Sequence, residues 1–262
     1  MYDDLPMERK FYMNVDHKPA LFYVVFGVSA DDLVVYGEKY HINEKPKGIE
    51  IFVLNREHYS EYMDTFFSEE LGAVMEDNNP ELYYKCKAAK NCVVIAGKVK
   101  NDETFDYMKN VIGIIEALCD KGAYGIMDIH AWLIMNPKEW HDKYFEKEID
   151  PLDHIDISFG VSGGESWVKT RGMVKFGRPD IQMEHIALSK TNDYTEIINR
   201  MIYCSGHGAF YEGKAKVDIS NGKSYMVQLE LVDEYGDMFD EELMDDMFLN
   251  QYYNVTVLEN EE

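Results

Sequence analysis

Apolar residues fall along the chain in two rhythms. Residues 20–28 (ALFYVVFGV) and 49–54 (IEIFVL) are short, β-rich apolar runs bounded by charged or turn-forming residues, which predicts strands. Between residues 56 and 71, Tyr59, Tyr62, Met63, Phe66 and Phe67 recur at the three-and-four spacing of an amphipathic helix, with Gly72 as its stop. Asp77-Asn-Asn-Pro80 reads as a polar breaker, after which residues 92–97 (CVVIAG) form another continuous apolar strand. Asp102 or Thr104 can then cap a helix whose positions Phe105, Met108, Val111, Ile112, Ile115 and Leu118 share one face, ending at Gly122. Residues 125–135 (GIMDIHAWLIM) read as a strand, and Asn136-Pro137 as the cap and first turn of a short helix.

Past Asp150-Pro151 the pattern changes. Residues 154–161 and 172–186 read as long strands joined in a hairpin through SGGESWVKTR, residues 193–204 as a helix, and residues 215–219 and 224–232 as strands flanking Asn221-Gly222, a strong hairpin signal. Residues 233–246 interleave Asp and Glu with Met238, Phe239 and Leu243, the pattern of an acidic amphipathic helix. The expected fold class is α+β, with mixed sheets and crossover helices. Residues 1–150 and 151–262 are expected to be two β-α-β-containing halves, either separate or continuous.

Composition agrees with a folded chain and narrows its partners. Apolar residues make up 46% of the chain and 19 residues are Tyr. Against 26 Lys and Arg stand 49 Asp and Glu, a formal charge of -23, which repels nucleic-acid backbones and anionic lipid and suits a basic protein partner. The cysteines, Cys86, Cys92, Cys119 and Cys204, sit in or beside apolar runs and match no zinc spacing, so buried thiols in a reducing compartment are expected. Residues 20–28 superficially resemble a signal-peptide core, but the preceding stretch mixes Asp3, Asp4, Glu8 and Asp16 with Arg9, Lys10 and Lys18 and lacks a positive leader. A cytoplasmic monomer or homodimer is the expectation.

Candidate chemistry is sparse. Asp128 and His130 lie two apart on an expected strand, as do His154 and Asp156, so each pair would share a strand face. Two carboxylates and two imidazoles could hold a divalent metal for a hydrolase, while the same spacing also arises on any half-exposed strand. TRGMVKFGRPDI (170–181) forms a basic island in which Arg171 and Lys175 would share a strand face; with Arg178 and the nearby Trp167 they are candidates for binding an anion or small ligand. The GxxxxGK[ST] loop and the GxGxxG fingerprint are absent, and no cofactor is expected. TRGMVKFGRPDI, with Trp167 before it, resembles a motif of a bacterial α+β protein family of unknown function. That resemblance implies the fold class and carries over no activity, cofactor or catalytic residue. The leading expectation is a non-catalytic interaction protein, such as an immunity protein neutralising a basic toxin.

Overall fold

The computed structural model describes residues 7–29, 38–145, 147–232 and 250–258. The chain divides into two compact units; the first includes Ala20–Lys100 and Thr104–Ile149, the second Glu8–Pro19, Asn101–Glu103 and the chain from Asp150 onward. Helices and two sheets make it an α+β protein. No helix among the described residues is long and apolar enough to cross a membrane.

In the first unit the strands β1 (Ala20–Phe26), β2 (Ile49–Asn55), β3 (Asn91–Lys98), β4 (Gly125–Asp128) and β5 (Leu133–Met135) lie in the order β2-β3-β1-β4-β5. Every pairing in this sheet is antiparallel. Every side chain of β1 is buried because helices cover both faces of the sheet. On one face, α1 (Arg56–Thr65), α2 (Glu69–Asn78) and α3 (Pro80–Lys87) bring Phe66 onto Phe22 and Phe67 onto Phe26. On the other, Tyr23 meets Met108 of α4 (Asp106–Asp120) and Trp140 of α5 (Pro137–Tyr144). Since β3 and β4 both run antiparallel to β1, α4 joins two parallel strands across it: a split β-α-β unit.

Three expected elements change here. The helix over 56–71 is broken: Tyr59 leaves helical geometry at φ -129, α1 ends at Thr65, and α2 begins at Glu69. Gly72 lies inside α2 instead of stopping a helix, and the position admits only glycine since a Cβ there would stand 2.3 Å from the carbonyl oxygen of Phe67. The breaker at residues 77–80 is also a start signal, with Pro80 opening α3 and the Asn79 side chain accepting from the Leu82 N–H. Residues 125–135 are two strands: Asp128 ends β4, and its Oδ1 accepts the N–H groups of His130 and Ala131, each at 3.1 Å, folding a turn that puts Trp132 at φ 54. The start of α5 follows its sequence signal, with a full capping box between Asn136 and Glu139.

The second unit carries β6 (Asp156–Ser162), β7 (Glu165–Arg171), β8 (Asp180–Ala187), β9 (Lys214–Asp218), β10 (Ser224–Val232) and β11 (Tyr252–Leu258), in the order β6-β7-β8-β11-β10-β9. The sheet is mixed, with β8 and β11 parallel and the remaining neighbours antiparallel. Helix α6 (Thr191–Gly206) buries Ile197, Ile198, Met201 and Ile202, each such aliphatic side chain contributing about 1.5–3 kcal/mol. The hairpin around Asn221-Gly222 forms as expected, with Ser224 opposite Asp218.

The first hairpin of this unit differs from expectation. SGGESWVKTR is mostly strand β7, and the connection is only Gly163 and Gly164, at φ 62 and 87, the left-handed pair that a tight two-residue turn requires. The expected strand over 172–186 is in fact a 3-10 turn, Met173–Phe176, followed by β8 from Asp180. A bulge with His185 at φ 56 shifts the β7–β8 register. The acidic helix expected over 233–246 lies outside the described residues.

Candidate functional site

The four residues read as a metal set do not all sit on strands. Asp128 closes β4, but His130 lies in the turn that Asp128 itself folds, so the shared strand face does not exist. His154 belongs to the 3-10 turn Pro151–His154 and stacks edge-on against Phe176 at 6.0 Å, while Asp156 begins β6 and accepts from the Ser158 hydroxyl at 2.7 Å. Asp128 and His130 belong to the first unit, His154 and Asp156 to the second. Among the described residues, no group of three or more His, Cys, Asp and Glu side chains is placed to hold a metal ion.

The basic island is largely internal. Lys175 lies on the turn after β7, not on a strand with Arg171, and both it and Arg178 are fully buried. Arg178 donates to backbone carbonyls: Nε to Ala209 at 2.9 Å, Nη1 to Gly177 at 2.7 Å, and Nη2 to Gly208 at 2.5 Å and Met13 at 3.2 Å. Arg9 does similar work, reaching the Asn101 side chain at 2.8 Å and the Phe176 carbonyl at 2.8 Å. Beside them Asp180 accepts from the Thr170 hydroxyl at 2.9 Å, the Met173 N–H at 3.1 Å and the Asn250 amide at 2.6 Å. Burial raises its pKa, and these hydrogen bonds partly offset the rise. The stretch that stands out in sequence is therefore a buried polar knot holding the turn between β7 and β8.

The two remaining members of the candidate set lie nearer the surface. Arg171 stands 3.7 Å from Asp156, and Trp167 lies across Gly160 of the neighbouring strand, where a Cβ would come within 2.6 Å of the ring.

An acidic, tyrosine-bearing surface lies on α1–α3. Residues 56–87 carry eight Asp and Glu against three Lys and Arg. Glu57, Glu61, Asp64, Asp77 and Glu81 are exposed, and among them stand Tyr59, Tyr62 and Tyr84 at 52%, 44% and 55% exposure. Two of them are anchored from below: Tyr62 packs edge-on against Phe66, and Tyr84 against Tyr83, itself against Phe67. The Tyr84 hydroxyl donates to Glu76, which holds its pKa above the ordinary value. Anchored, exposed tyrosines within negative charge offer large contact area at small entropic cost, in a field that attracts cations. Apolar spacing alone places Tyr59 and Tyr62 on the stripe that faces the core. Their flanking Glu57 and Glu61 are the signal that marks them as the wet edge of that stripe.

The cysteines are quiet. Cys86 and Cys92 are buried and Cys119 partly so, and burial pushes each thiol up to about 12, far from the thiolate a nucleophile needs. His207, at the end of α6, has a lowered pKa, chiefly through burial and then through Lys10. Compared with known proteins, the chain matches no family model, no curated protein and no solved structure.

Proposed function

We propose that this protein is a non-catalytic interaction protein of the bacterial cytoplasm that receives a basic protein partner, in the manner of an immunity protein blocking its toxin. The observation that carries the reading is the set of exposed tyrosines Tyr59, Tyr62 and Tyr84 within the acidic α1–α3 layer, Tyr62 and Tyr84 being anchored on buried rings. Tyrosine and arginine dominate the energetically decisive positions of interfaces, so Arg-rich surface on the partner would stack on these rings while its charge meets Glu57, Glu61 and Glu81. Long-range attraction by a chain of formal charge -23 accelerates such an encounter.

Affinity purification from the native host, followed by titration with the isolated partner, tests the reading. The expected result is a stoichiometric basic protein whose association slows as salt rises, and whose affinity drops roughly tenfold or more on Tyr59→Ala or Tyr84→Ala. A partner unaffected by both substitutions, or no stoichiometric partner at all, removes the proposal.

A further inference from the structure

The two edges of the second sheet are built differently. At one edge, β9 exposes Lys214, Lys216 and Asp218, the charged side chains that keep sheet edges from pairing with other chains. At the other edge, β6 reads DISFGVS, with no Lys, no Pro and no register shift against β7, and it exposes Phe159 at 81% and Val161 at 64%.

Its outward hydrogen-bonding groups are also defined. In a two-residue hairpin the flanking pair, here Ser162 and Glu165, is the hydrogen-bonded one, and bonding alternates along the ladder. Ile157, Phe159 and Val161 therefore turn their N–H and C=O groups away from β7, toward the open side. These groups have no hydrogen-bond partner among the described residues. The same three residues carry the apolar side chains, so among the described residues open edge backbone and exposed hydrophobic side chains coincide.

The geometry points to a second copy of this chain as the occupant: we propose that β6 pairs with β6 of another molecule, antiparallel about a two-fold axis through Phe159, joining two six-stranded sheets into one. In that register Phe159 faces its own mate and Ile157 faces Val161, so every outward-turned residue meets an outward-turned residue. Charge permits it locally even though the whole chain is strongly negative. The only charged residue of β6, Asp156, would face Ser162, and it already has Arg171 at 3.7 Å; Glu165 beside the turn is held by His185 at 2.7 Å.

The test is the mass of the full chain in solution across loading concentration and salt. A dimer of about twice 30.5 kDa is expected, strengthened by added salt because screening relieves repulsion between two negative molecules. That sign is opposite to the salt effect on a basic partner, so the two readings fail separately. Phe159→Lys and Val161→Pro should each give a monomer with unchanged circular dichroism, since neither removes a β6–β7 hydrogen bond. Phe159→Cys should cross-link to its own mate under mild oxidation, whereas Val161→Cys should cross-link only in combination with Ile157→Cys. A monomer at every concentration and salt level overturns the proposal, as does a dimer that survives Phe159→Lys or cross-links equally through Val161→Cys alone.

Discussion

Arg178 and Asp180 lie two residues apart, and each is satisfied mainly by the chain's own polar groups, so both serve the fold. The carboxyl of Asp180 holds its proton more readily in the folded chain than in the unfolded one. Its contribution to stability is thus greatest on the acid side and is lost as pH rises through its raised pKa. Denaturant titrations of wild type and Asp180→Asn across pH should show the difference between them changing over that window; parallel curves would contradict the assignment. His207 works in the opposite direction. Its pKa is lowered from 6.5, so the unfolded chain takes up the proton first and stability falls as pH drops below about 6.5. His207→Gln should shrink that acid loss. Replacing Arg178 by Met leaves several buried carbonyls unpaired, and an equilibrium unfolding midpoint should report a cost of roughly 3 kcal/mol or more.

At the scale of elements, Trp167 and Gly160 form a pair that can be checked by a double-mutant cycle. Gly160→Ala puts a Cβ 2.6 Å from the indole, which must turn aside, so its effect on the unfolding midpoint should differ between wild type and a Trp167→Ala background; equal effects in both would break the pair. Asn136→Ala removes one half of a capping box and should cost about 1 kcal/mol in thermal or denaturant unfolding. Elements with a local physical cause were legible in sequence: the α5 cap, the face of α4, the Asn221-Gly222 hairpin and the buried run of β1. What could not be read was decided by contacts distant along the chain. The break between α1 and α2 lets Phe66 and Phe67 reach Phe22 and Phe26, and apolar spacing alone runs straight through it. The split of residues 125–135 depends on Asp128 bonding two backbone N–H groups, which moves His130 off the strand that a metal set would have needed. The basic island looked like a surface because arginine and lysine are rarely fully buried. Its acceptors, the carbonyls of Met13, Gly208 and Ala209, carry no side-chain signature. Tyr59 and Tyr62 keep the apolar rhythm of the helix yet lie on its exposed border.

The whole molecule combines a large acidic excess with two separately built sheets. Self-repulsion at a formal charge of -23 lowers the stability of the compact state at low ionic strength. Raising salt toward physiological levels, where the screening length is about 8 Å, should therefore raise the thermal unfolding midpoint; a midpoint that falls would show that exposed ion pairs such as Lys223–Asp193 outweigh the repulsion. The sealed thiols of Cys86 and Cys92 have a practical corollary at this scale. An alkylating reagent can reach these sulfurs only when helix α3 lifts or strand β3 comes away, and even then it must wait for a proton to leave. The pace at which the peptides carrying Cys86 and Cys92 gain the reagent's mass, read apart from the less buried Cys119 and Cys204, is accordingly a stopwatch for how often the first unit breathes, with no engineered label required.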